Sequence, residues 1–350
     1  MRSLSLSVIV GLGIFCLRAE PVSIRIDSGE RDLTADEKAA VSGATEVIKT
    51  GKGTLAPAQA SFSGFSGTLR VKEGYLKLQG SNWIPTSAKI SVEWSDDTET
   101  EGGTLQFYGT GGTFNTGTPI EFCGTGVGGT AGALAMDGFT TGDMDLQRTI
   151  MTGDALVTGN SSRPFRFNTS NGLDMQGHTL TFNPSKSHEF VLYTTVKNPG
   201  TIVVEAGTFR PGYGAAQIAG GTVVVKGSGV MGLYKWGSNA NDFFPWTIKT
   251  AWEGTPNGEK TLFNGSPDSA NPKPQPLDGP LVLNGGWTNL VTSGVLANRN
   301  GCRQFKGDIS GEGTIRLGHS NTWTEFSGAN TLTGKLKVDY EFPLAAAADK

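Results

Sequence analysis

Charged residues are scarce in this chain, at 17% of the total, against roughly 25% in an ordinary soluble domain. The two signs nearly balance, leaving a net charge of −3 with no basic cluster. A nucleic-acid partner and a polybasic membrane patch are therefore excluded as readings. Histidine is equally rare. His178, His188 and His319 stand apart, with no His-x-x-x-His or His-Glu pair, so the spacing of a zinc hydrolase is missing. There is no Gly-x-Ser-x-Gly nucleophile elbow. After the first twenty residues no segment approaches the roughly 18 apolar residues of a membrane-spanning helix. Helical patterning is almost absent as well. Its one candidate is Thr34 to Val41, where Thr34 and Glu37 form a capping-box pair.

Glycine takes the place of what is missing, at 51 of 350 residues. Between the glycines lie short runs with period-two alternation: Thr68 to Val71, Tyr75 to Leu78, Lys89 to Val92 and Thr104 to Phe107. They continue at Thr179 to Phe182, Thr201 to Val204, Thr222 to Val225, Leu281 to Leu283, Thr314 to Leu317 and Lys335 to Val338. Alternation turns the aliphatic residue inward and the Thr, Lys or Arg outward. Runs of about four suit the flat faces of a β-helix better than a sandwich, whose strands average 5–6 residues. Gly74, Gly177, Gly207 and Gly227 flank such runs, where a solenoid turns a corner and a positive φ is at a premium. Gly109 to Thr113 and Gly124 to Gly129 are turn glycines on the same ground, because neither ends in the Gly-Lys-[Ser/Thr] of a phosphate loop. The predicted fold is all-β: one elongated right-handed parallel β-helix over residues 20–350.

Residues 1–19 are set apart from that fold. Arg2 followed by the apolar or small stretch Leu4 to Leu17, with Ala19 before the cleavage point, reads as a secretory signal peptide. Export would leave Cys123 and Cys302. At roughly 20–30 residues and about 4.8 Å per solenoid turn they stand too far apart to bridge. Both are read as unpaired.

The chemistry-bearing residues are few. Asp96-Asp97-Thr98-Glu99-Thr100-Glu101 is the one dense acidic run, and Asp143-Met144-Asp145 a smaller one. Clustered carboxylates supply the hard oxygen ligands that Ca2+ takes, so weak Ca2+ binding is the cofactor reading the run offers, although its spacing matches no established loop. No catalytic residue is assigned. Residues 232–280 break the strand pattern with tryptophans and then prolines, and form an expected excursion from the solenoid. Trp236, Trp246, Trp252 and Trp287 fall in or near it. Two readings remain open for these rings: stacking on sugar faces as a ligand-binding site, or covering a coil face.

One phrase occurs near both ends of the chain. Lys49-Thr50-Gly51-Lys52-Gly53-Thr54-Leu55 leads to Phe62-Ser63-Gly64-Phe65-Ser66-Gly67-Thr68-Leu69-Arg70-Val71. Gly311-Glu312-Gly313-Thr314-Ile315-Arg316-Leu317 leads to Phe326-Ser327-Gly328-Ala329-Asn330-Thr331-Leu332 and Thr333-Gly334-Lys335-Leu336-Lys337-Val338. A self-similar strand-and-turn unit points to a repeat architecture. The phrase resembles the autotransporter-associated β-strand repeat family of secreted bacterial passenger proteins, as do Asn171 to Phe182 and Phe305 to Ile315. The resemblance implies a non-enzymatic structural or adhesin-like passenger, secreted or held at the bacterial outer surface. No barrel-like strand series follows the last phrase in this sequence. Parallel β-helices also carry polysaccharide-degrading enzymes, so a carbohydrate-binding or lyase- or glycosidase-like protein is the alternative. An extracellular polysaccharide or cell-surface glycan is the partner class in either case.

Overall fold

The computed structural model describes residues 20–81, 83–94, 102–109, 114–168, 172–185, 188–193, 196–211, 220–232, 246–250, 259–263, 279–291, 302–317 and 323–338. Among these residues there is one helix, Ala35–Ser42. It begins where the capping pair predicts: the Glu37 amide donates to the Thr34 hydroxyl at 3.2 Å, and the Thr34 amide to Glu37 Oε2 at 2.7 Å. The reciprocal bonds satisfy two of the orphan donors at the helix start. The helix lies between the strands Glu30–Arg31 and Glu46–Thr50 and buries Val41 completely.

Apart from one antiparallel bridge, Trp94 to Gly102, every recorded strand pairing is parallel, and each strand pairs with a strand one coil away. Three ladders result, with Cys302–Phe305 and Trp323–Phe326 paired apart from them, and together they make a β-solenoid. The first runs through Val22–Arg25, Glu46–Thr50, Thr68–Val71, Lys89–Val92, Ile120–Gly124, the start of Thr149–Asn160, Leu173–Asp174 and Val196–Lys197. The second starts at Glu30–Arg31 and reaches Ile309–Leu317. The third begins at Phe114–Thr116 and reaches Thr333–Val338. All ten runs marked by alternation in the sequence are strands.

Register decides the core. In the second ladder Leu55, Leu76, Leu105, Leu134, Val157, Phe182, Val204 and Val225 form one column, each residue directly over the last. Every member is fully buried. On the outer side of the same ladder Thr179, Thr201, Thr222 and Thr247 form a second column. The third ladder stacks Met144, Phe165, Phe190, Phe209 and Met231. Centroids are 6.3 Å apart for Phe165 and Phe190 and 5.5 Å for Phe190 and Phe209, within the range where aromatic pairs add to area burial. The expected excursion at 232–280 is threaded by two rungs, Thr247–Thr250 in the second ladder and Glu259–Phe263 in the third. A Thr-Ile-Lys-Thr strand is too short to stand out among the surrounding prolines and tryptophans.

The second half of the repeated phrase has one structural meaning at both ends. Phe62 and Phe65 are fully buried, and Phe326 stacks on Phe305 at 5.4 Å. The glycine that follows, Gly67 or Gly328, lies against the backbone of the preceding coil, where a Cβ would overlap the Thr45 or Gly307 carbonyl. The first half of the phrase does not repeat its position. Gly51 to Gly53 turns from the first ladder to the second, whereas Gly311 to Gly313 lies within Ile309–Leu317, which passes from the second to the third. Gly-x-Gly-Thr thus specifies a bend ahead of a strand, at whichever corner needs one.

The first of these corners is tied by a buried cation. Lys49 stands in an inward column with Ile24, Val71, Val92 and Phe122, and its side chain is fully buried. Its ammonium donates to the carbonyls of Gly51, Glu73 (2.8 Å) and Thr50 (3.2 Å). Glu73 Oε2 accepts from the Gly51 amide at 2.7 Å. Gly74, at φ +64°, leaves room for the ammonium that any side chain would take. Burial pushes the Lys49 pKa down to about 8, against the opposing charges of Glu73 and Asp27. From pH 8 to 10.5 the native state therefore releases a proton that the unfolded chain still holds, and stability rises with pH. We expect the stability of the wild-type protein, measured by urea unfolding relative to Lys49→Met, to climb across that window by up to roughly 3 kcal/mol. A difference that stays flat would place the ammonium in water.

Candidate functional site

The tryptophans do not assemble a site among the described residues. Trp246 is fully buried, and its ring lies over Gly221, where a Cβ would overlap it. It is a core residue, and a fully buried ring offers no face for a sugar to stack on. Trp287 lies in the strand Leu281–Val291, level with Glu259 and Thr314, and its side chain is outside the described set. Trp236 and Trp252 lie outside the described residues, as do Asp96 to Glu101. Cys123 is a free thiol. Among the described residues no group of His, Cys, Asp and Glu is placed to hold a metal ion, and no helix is long and apolar enough to cross a membrane.

Asp143 faces a cleft of about 390 Å³ on the outside of the third ladder, with Arg163, Arg166, Glu189, Tyr193 and Arg210, and Asp145 is buried beside it. Arg166 bonds Asp145 through two nitrogens, at 2.5 and 2.8 Å, and also reaches Asp143. Arg163 takes the other Asp143 oxygen at 2.7 Å, and Arg210 pairs with Glu189 at 3.2 Å. Every carboxylate here is held by a guanidinium, and Arg166 holds Asp145 in the bidentate geometry that makes such pairs strong. The two aspartates of the sequence motif serve as a clasp between coils, since Asp145 and Arg166 are register partners. Asp145 is 8% exposed, so removing its cation strands a buried charge. Arg166→Leu should cost roughly 3 kcal/mol in chemical denaturation; a loss within ±0.5 kcal/mol would show the clasp to be idle.

His188 sits near this cleft, fully buried, with neither ring nitrogen hydrogen-bonded among the described residues. Phe182 meets it edge-on at 5.9 Å. Burial pulls its pKa down to about 4, and the Arg163 backbone and the Asp137 charge offset only part of that. The unfolded chain takes up a proton near pH 6.5 that the native state refuses until pH 4, so stability falls as pH drops through that window. His188→Phe should lose this part of the acid sensitivity in thermal melts between pH 7 and 4. An unchanged acid slope would mean the imidazole protonates in place.

Two grooves run across coils. The first, of about 740 Å³, follows the outer side of the second ladder over Lys77, Gln106, Ala135 and Thr158. Its polar groups are closed on one another: Lys77 pairs with Glu30 at 2.9 Å and lies 4.5 Å above the Tyr108 ring, and Gln106 bonds Asp137 at 2.8 Å. The second is a trough of about 780 Å³ at the entrance to the first ladder. Residues in register on successive coils line it: Thr45, Gly67, Ala88, Pro119 and Arg148, each one position before a ladder strand. The hydroxyls of Ser42, Thr45, Ser66, Thr68 and Thr86 open into it without a hydrogen bond among the described residues, and Ser87 makes a single long one, 3.5 Å to the Phe65 carbonyl. Lys89 and Glu121 form an ion pair at 3.0 Å, and Ile150, 41% exposed, forms a lip. Sequence reasoning missed this trough because its hydroxyls belong to ordinary turn residues, brought together only when the coils stack.

Compared with known proteins, the chain matches no family model, no curated protein and no solved structure.

Proposed function

We propose that this chain is an exported, non-enzymatic passenger-type protein, structural or adhesin-like, built of autotransporter-associated β-strand repeats. The observation that carries the reading is the shared role of Phe65-Ser66-Gly67 and Phe326-Ser327-Gly328: an aromatic turned to the core, then a glycine against the coil before it. Units that stack only on their neighbours give a stiff rod whose stability is a sum over rungs. Such a rod suits the presentation of a surface away from a cell. The paired carboxylates of the third-ladder cleft favour a structural part over acid–base chemistry there. Carbohydrate binding is the second reading, favoured by the trough of unengaged hydroxyls beside the first ladder.

Export is tested by expressing the full chain in a bacterial host and sequencing the N terminus of the protein found outside the cytoplasm. The expected first residue is Glu20, and retention in the cytoplasm with Met1 intact would reject the reading. Incubation with plant, algal and bacterial polysaccharides, with and without Ca2+, is expected to give retention on some glycan and no new reducing ends or unsaturated uronides. Reproducible product release would replace the passenger by an enzyme.

A further inference from the structure

We propose that the trough beside the first ladder is a binding subsite for an acidic glycan, a chain of uronic-acid sugars lying across the coils, with Arg148 as its carboxylate anchor. The inference rests on the carbohydrate-binding reading above and adds the place and the ligand class.

Arg148 differs from its counterparts. Arg25, Arg31, Arg70, Arg163, Arg166 and Arg210 each carry a carboxylate from this chain. Arg148 makes no ion pair or side-chain hydrogen bond among the described residues, and it lines the trough. It stands directly in register with Pro119, one position before Thr149 on the ladder. Among the described side chains every other arginine carries a carboxylate, so a guanidinium left open in a groove is available to an external carboxylate, which it binds in bidentate fashion.

The rest of the trough fits the same ligand. Lys89 and Glu121 offset each other, so Arg148 leaves a local excess of one positive charge. One cation is too little for a phosphate polymer, whose binding scales with the number of phosphates neutralised. It is enough to orient a carboxylate. The hydroxyls of Thr45, Ser66 and Thr86 line it, and they donate and accept as sugar hydroxyls do. The exposed Ile150 beside Arg148 offers apolar contact to a sugar's C–H face.

The test is titration calorimetry of the full chain with oligogalacturonides and with the carboxyl-reduced neutral oligomers of the same length. The acidic oligomers should bind at least about tenfold tighter, the difference made by one charge-assisted contact. Arg148→Ala should lose that preference, Arg148→Lys should keep part of it, and Lys226→Ala, which breaks a pair with Glu205 on the second ladder, should leave it intact. Equal losses in Arg148→Ala and Lys226→Ala would mean nonspecific attraction and overturn the subsite. Acid preference unchanged in Arg148→Ala would also overturn it, while leaving glycan binding standing at another surface. Binding of the neutral oligomers alone would have the same meaning. Binding of neither oligomer overturns the subsite, and failure on the whole polysaccharide panel as well would remove the carbohydrate-binding reading itself.

Discussion

Parallel hydrogen bonding between one coil and the next is the constraint from which the rest of this molecule follows. It fixes a rung spacing of about 4.8 Å, and it places each side chain over the residue at the same position one coil earlier. Like must then tolerate like. Inside, aliphatic residues repeat in columns and the phenylalanines of the third ladder stack. Outside, several charges recur with alternating sign. Arg70 lies between Glu46 and Glu93 from the coils on either side, Lys89 meets Glu121, and Lys226 meets Glu205. Opposite charges one rung apart attract and like charges repel, so these pairs join neighbouring coils from outside.

The sequence was most legible where it spoke in β-branched alternation. The marked runs fall mainly in the second ladder, where Tyr75–Leu78, Thr104–Phe107, Thr179–Phe182, Thr201–Val204 and Thr222–Val225 use Thr, Val, Ile and Leu at period two, and the first ladder contributes Thr68–Val71 and Lys89–Val92. Most of the third ladder went unread. Met144–Leu146, Phe165–Asn168 and Thr208–Pro211 carry aspartate, arginine or proline beside their core residues, and such residues argue against a strand when taken alone. Their clasp partners one coil away make them acceptable, and partnership across some twenty residues leaves no local pattern. Lys49 shows the same limit from inside. Alternation assigns it to the core, chemistry assigns it to water, and only the three carbonyls of the corner reconcile the two.

Candidate sites were less legible than the fold, for a related reason. Rare residues draw attention in a sequence, and here the rare residues are structural: Trp246 fills the core, and Asp143 and Asp145 hold arginines. The trough is made of serine and threonine, which are common throughout the chain. What distinguishes it is alignment, created when Thr45, Gly67 and Ala88 come into register, together with an arginine that the fold leaves open.

Coil length varies without disturbing the ladders. Val71 pairs with Val92, and Ile248 with Leu281 across a much longer connection, yet both pairs join the same kind of rung. Loop length adds little to the entropic cost of closing a coil, about 0.6 kcal/mol per doubling, so corners can lengthen while rungs cannot change register. A register slip of one residue would turn Lys, Thr and Arg inward along a whole strand. Variation is therefore admitted at the corners and forbidden on the faces. The trough lies at a corner whose residues are small enough for three coils to approach closely, and Gly67 sits where a Cβ would strike the Thr45 carbonyl. The close approach that keeps the rungs in register also stacks Thr45, Gly67 and Ala88 over one another along the trough. A surface with the period of the backbone ladder is a physical consequence of the fold, and Arg148 takes its place in the groove through the same register.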